Sequence, residues 1–105
     1  MIKRIVKLTF REDSVADFLR LYEASNAKIR SFPGCQHLEL LRCTQPNNVF
    51  FTYSIWDSQE HLDHYRFSEF FKDTWSRTKA LFEEKAEAWS VTEWPAGSKE
   101  PVKNG

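Results

Sequence analysis

The chain is poor in cysteine, in glycine and in net charge, and each shortage removes a class of protein. Lys and Arg together number 15, as do Asp and Glu, so the formal charge is zero. An electrostatic nucleic-acid binder needs a net or clustered positive field, and the balance argues against one. No apolar run approaches the ~18 residues that a membrane-spanning helix requires. The opening Met1-Ile2-Lys3-Arg4 leads into alternating Ile and Lys instead of a secretory apolar segment, so a cytoplasmic protein is expected. Only three glycines are present. None of them flanks Ser54 as a nucleophile elbow would require, which counts against hydrolase chemistry.

Cys35 and Cys43 are the only cysteines. On one extended segment they would sit roughly 26 Å apart at ~3.3 Å per residue. A disulfide needs Cα atoms about 4.4–6.8 Å apart, so the two are expected to stay reduced.

Aromatic residues are plentiful, at 15% of the chain, with nine Phe, four Trp and three Tyr among 105 residues. That many rings can fill a small core or line a flat organic-ligand pocket. One domain over residues 1–94 is expected, because the length cannot support two ordinary cores. Residues 95–105 lack a core pattern and are expected to form a flexible tail.

Period-two alternation marks a first strand over 1–10, with Ile2, Val6, Leu8 and Phe10 on one face. Lys3, Ile5, Lys7 and Thr9 take the other face, and Arg4 is a lapse in the apolar set. A helix follows, with Asp13 or Ser14 as its cap and Ser14 and Asp17 at capping-box spacing. Its stripe is Val15, Phe18, Leu19, Tyr22 and Ile29. Pro33-Gly34 ends it. Strands are expected over 36–42 and 49–56, joined as a hairpin by Gln45-Pro46-Asn47-Asn48. Asp57 and Glu60 open a second helical region to about Glu84, carrying Leu62, Tyr65, Phe71, Trp75, Thr78 and Phe82, widened by Phe67 and Phe70. A break near Phe67-Ser68 divides it. A last strand spans 86–93.

The order β-α-β-β-α-β is the ferredoxin-like α+β arrangement, in which both helical regions cross one face of a four-stranded antiparallel sheet. The third strand carries large groups on both faces: Val49, Phe51, Tyr53 and Ile55 on one, Phe50 and Trp56 on the other. A bare apolar sheet face implies a partner, and the simplest partner is a second copy. A homodimer through the sheet face, closing a dimeric α/β barrel, is expected.

Pro33-Gly34-Cys35, the strand exit Tyr53-Ser54-x-Trp56-Asp57-Ser58, Leu62-x-x-Tyr65, Ser68-x-x-Phe71 and Ala88-Trp89 resemble the antibiotic biosynthesis monooxygenase family. The resemblance runs over residues 1–93. It implies a dimeric α+β barrel with a pocket between helices and sheet. It also implies, for some members, oxygenation of aromatic polyketides or quinols without flavin or metal, so no cofactor is expected. Other members degrade haem. Their Trp and haem-ligating His fall at positions resembling Tyr65 and Trp75, and their first-strand Asn at Val6. Indole offers no lone pair to iron, so haem degradation by that route is not expected. In quinol-oxidising members a strand-exit Trp follows an Asn by about four residues. Here Trp56 resembles the Trp and Thr52 stands at the Asn position, with Tyr65 and Arg77 as nearby candidates.

Cofactor-free oxygenation needs an electron-rich substrate, a base to deprotonate it and a dry pocket. The candidate bases are His61 and His64, three residues apart on a helix; a solvated helix surface is the weightier reading of the pair. Tyr53, Trp56, Tyr65 and Trp75 are the candidate substrate-binding residues, against a plain packing role for all four. No His, Cys and acid combination has metal-ligand spacing, so no metal site is expected. The competing classes are a non-catalytic small-molecule-binding or stress-associated dimer of the same fold, and an isomerase or dehydratase using the same histidines.

Overall fold

The computed structural model describes residues 1–94, and the expected tail over 95–105 lies outside them. Strand β1 is Ile2–Phe10, helix α1 Val15–Arg30, β2 Cys35–Arg42, β3 Val49–Trp56, α2 Gln59–Arg66, α3 Glu69–Lys79 and β4 Phe82–Val91. The strands form one antiparallel sheet in the order β2-β3-β1-β4. This is the expected ferredoxin-like α+β fold, with the second helical region divided at Phe67-Ser68.

Helix α1 starts without the expected capping box. A short 3-10 turn, Glu12–Ser14, precedes it, and the Ser14 hydroxyl donates to Asp13 Oδ1 and leaves the helix N–H groups uncapped. Asp57 likewise does not cap α2. Ser58 does, accepting from His61 N at 3.2 Å, and Ser68 caps α3 by accepting from Phe71 N at 3.1 Å. Asp57 instead accepts from Gln36 Nε2 at 2.9 Å. In each turn a serine takes the orphan N–H because its short hydroxyl reaches back to the first turn of the helix.

Helix α3 stops at Lys79, short of the expected Glu84. The carbonyls of Leu81 and Phe82 accept from Arg11, at 3.1 Å from its backbone N–H and 3.2 Å from its guanidinium. These bonds tie the chain to the end of β1 and start β4 at Phe82 instead of Ala86. Phe67, expected on the buried stripe, is 70% exposed at the helix junction; Phe70 does pack inward.

On the helix-covered face the sheet is bulky at both ends and small in the middle. One end pairs Leu8 with Phe50, and Phe10 follows them; the other pairs Ile2 with Trp56. Between them run the rows Leu40–Thr52–Val6–Ala88 and Leu38–Ser54–Arg4–Ser90. The buried core is correspondingly split. Leu8, Phe10, Phe18 and Phe50 form one cluster, and Ile29, Leu38, Trp56 and Leu62 form the other.

The opposite face carries Lys3, Ile5 and Lys7, His37, Glu39 and Leu41, Phe51, Tyr53 and Ile55, with Glu87, Trp89 and Val91. Leu41 and Trp89 are nearly half exposed there. Lys7 reaches Glu87 at 3.8 Å and His37 reaches Glu39 at 3.1 Å. Cys35 and Cys43 are unpaired, as expected.

Candidate functional site

Small side chains in the middle rows leave a void that the helices do not fill. Val6, Thr52, Ser54, Ala86 and Ala88 supply its sheet side, and Ser25, Thr74 and Thr78 belong to the helices above. The resulting cavity has a volume of about 310 Å³, within the range of small-molecule sites. It lies between the two core clusters and takes walls from both: Leu8 and Phe18 from one, Ile29, Leu38, Trp56 and Leu62 from the other.

Aromatic rings form one continuous wall. The Trp56 indole is 1% exposed and donates from Nε1 to Ser54 Oγ at 3.0 Å, which fixes its plane. Tyr65 stacks on it with centroids 5.1 Å apart and 18° between planes. Phe71 meets Tyr65 edge-on at 5.1 Å, and Trp75 stacks on Phe71 at 5.9 Å. Offset stacks and edge contacts of this kind are each worth about 0.5–1.5 kcal/mol beyond burial. The wall is therefore stiff before any ligand arrives.

Of the residues expected to bind substrate, Trp56, Tyr65 and Trp75 all line the cavity. Tyr53 does not. It lies on the opposite sheet face, with its ring 5.8 Å from that of His37, because odd-numbered residues of β3 point away from the helices. His61 and His64 also lie outside the lining. The His61 ring packs over Gly34, and its Nδ1 is 2.8 Å from Ser58 Oγ. His64 is exposed beside Phe32, centroids 6.0 Å apart. The expected placement of a histidine base in the pocket is corrected: capping and packing hold one outside, and solvent holds the other. Arg77 is directed outward, paired with Asp73 at 3.2 Å.

The residues missed were Arg4 and Arg66, both of which line the cavity. Arg4 had a signal, as the charged lapse in the apolar face of β1. Arg66 had none, being one more basic residue in the last turn of a helix, where the dipole favours it. Burial, then the charge of Arg66, lowers the Arg4 pKa.

The other titratable groups on the lining are Tyr22 and Tyr65. Burial pushes both hydroxyls above the usual tyrosine range, Tyr65 by much the more. Both are therefore protonated at neutral pH and serve as donors, not bases. The Tyr22 hydroxyl is buried without any hydrogen-bond partner. Among the described residues, no group of three or more His, Cys, Asp and Glu could hold a metal ion.

A sequence model of the antibiotic biosynthesis monooxygenase family matches residues 1–76. No curated protein matches the chain. Among solved structures, one described as an antibiotic biosynthesis monooxygenase is 19% identical, with 89% of this chain and 98% of that one covered and a TM-score of 0.83. A Mycobacterium tuberculosis protein is 16% identical, covering 92% and 98%, with a TM-score of 0.83. A Deinococcus radiodurans protein is 13% identical, covering 99% and 100%, with a TM-score of 0.85. At these identities the solved structures establish the fold.

Proposed function

We propose that this chain, which belongs to the antibiotic biosynthesis monooxygenase family, oxygenates a small electron-rich aromatic compound held in the cavity between helices and sheet. The observation that carries the proposal is the aromatic wall Trp56–Tyr65–Phe71–Trp75 around an open volume of about 310 Å³. A core that served stability alone would close such a void, since empty volume weakens a fold.

In such a reaction the substrate itself supplies the electrons. A ring methylene becomes a carbonyl with one atom of O₂, and the second oxygen atom leaves as water with the two hydrogens. Trp56 and Trp75 would orient the ring, and the Tyr65 hydroxyl would donate to an oxygen of the substrate or of its peroxide. Deprotonation is left to solvent or to the substrate's own acidity, because among the described residues no His, Asp or Glu lines the cavity. That same gap favours a second reading, a non-catalytic binder of the same fold.

Oxygen consumption with a panel of anthrones and quinols, without added cofactor, separates the two. Saturable uptake that falls at least about tenfold in Trp75→Ala supports the oxygenase; ligand binding without uptake supports the binder. His61→Ala and His64→Ala are expected to keep uptake within about twofold of the parent. A loss of tenfold or more in either would return the histidine to the role of base.

The sheet face opposite the cavity we assign to a second copy of the chain. Phe51, Tyr53, Ile55, Leu41, Trp89 and Val91 share it, too much apolar surface to leave in water. Light scattering is expected to give twice the chain mass at micromolar concentration, and Trp89→Lys to shift the mass toward the monomer. A parent that stays monomeric would remove the assignment. The working compartment we take to be the cytoplasm, on the strength of two unpaired cysteines. Among the described residues no helix is long and apolar enough to cross a membrane.

A further inference from the structure

We infer that the cavity takes an aromatic ring system bearing a carboxylate, with the ring against Trp56, Tyr65 and Trp75 and the carboxylate on Arg4 and Arg66. The inference rests on the cavity being a ligand site, as proposed above, and adds the charge of what it binds.

Arg4 enters from β1 and Arg66 from the last turn of α2, and both line the cavity. Among the described residues, no acidic side chain lines it with them. Arg11, Arg20 and Arg77 each lie within ion-pair distance of an aspartate, and Arg30 and Arg42, which among the described residues have no acidic partner, donate to the carbonyls of Leu38 and Asn47. Among the described residues neither Arg4 nor Arg66 has an acidic partner, and Arg4 donates only to a neutral hydroxyl, Ser90 Oγ, at 3.1 Å. Two like charges thus share one apolar cavity without compensation. Their fields add where the low dielectric of the aromatic wall screens least. A planar carboxylate answers this arrangement, because its two oxygens match the fork of a guanidinium.

Calorimetric titration with 2-naphthoate and its uncharged counterpart 2-naphthamide tests the inference. In the parent protein naphthoate is expected to bind about tenfold more tightly or better. Raising salt from about 0.05 to about 0.5 M should weaken naphthoate binding alone. Arg4→Gln and Arg66→Gln should each remove most of the preference while leaving naphthamide affinity within about twofold, which also shows the fold intact. Arg66→Lys should keep part of it. Equal binding of the two compounds by the parent protein overturns the anion inference and leaves the cavity as a neutral ligand site. A preference that survives both glutamine variants overturns it as well. Failure of both compounds to bind defeats the inference together with the ligand-site reading. The parent comparison needs no variant, so a misfolded substitution cannot leave the question open.

Discussion

Gly34→Ala is expected to destabilise the protein by about 2–5 kcal/mol, read as the shift of a urea or thermal unfolding transition. Two independent terms add. Gly34 has φ of +85°, on the left-handed side that costs a residue with a Cβ about 1–2 kcal/mol. A Cβ there would also clash with three atoms of His61, its Cβ, Cγ and Cδ2. Overpacking of that kind typically costs a further ~1–3 kcal/mol. The turn cannot easily yield, because the Gly34 carbonyl accepts from Asp57 N at 2.8 Å and joins the start of β2 to the exit of β3.

A double-mutant cycle isolates the contact. With His61→Gly in the background, all three crowding atoms are gone, and the Gly34→Ala penalty should fall to the ~1–2 kcal/mol of the backbone. An unchanged penalty would show that the ring is not the obstacle. The result bears on function as well as stability. His61 packs over Gly34, with Nδ1 2.8 Å from Ser58 Oγ, and lies outside the cavity lining, so the cycle measures its structural share in the β3–α2 junction.

Trp56→Ala should cost about 3–5 kcal/mol, the range for removing a large buried aromatic side chain. The indole is 1% exposed, stacks on Tyr65 and holds the Ser54 hydroxyl at 3.0 Å. Trp56→Phe keeps a ring for the stack and loses the hydrogen bond and some volume, so about 1–2 kcal/mol is expected. The two variants separate packing from ligand contact. If Trp56 only caps the core, naphthoate affinity in Trp56→Phe should match the parent once the protein is folded. If it is also a wall of the site, affinity should fall several-fold while the fold is retained. We expect the fall, because Trp56 lies between the buried cluster and the open volume.

How much of this was legible in the chain differs between elements. Alternation from Ile2 to Phe10 assigned the β1 faces correctly, and the stripe of α1 packs as its spacing requires, with Phe18 and Ile29 buried. The division of the second helical region was also readable, since Ser68 is a cap signal within a helical pattern. The end of α3 was not. Phe82 fits the helix period, but a bulged pairing of β4 with β1 places it 5.3 Å from Phe10. The candidate site was legible only where the ring type was enough: Trp56, Tyr65 and Trp75. Tyr53 shares that chemistry, but strand alternation already places it on the face opposite Trp56, and the structure keeps it there.

By itself the sequence determined the order of the elements, the face each strand residue takes and the aromatic stock of the core. These are local properties, set by periods of two and 3.6 along the chain. The tertiary structure alone decided that the middle rows would leave a cavity, that His61 and His64 would stay outside it, and that Arg4 and Arg66 would meet at its wall. The physical reason is register. Val6, Thr52 and Ala88 become neighbours through pairing between strands more than thirty residues apart, and a void belongs to that row and to the helices docked over it, not to any one segment.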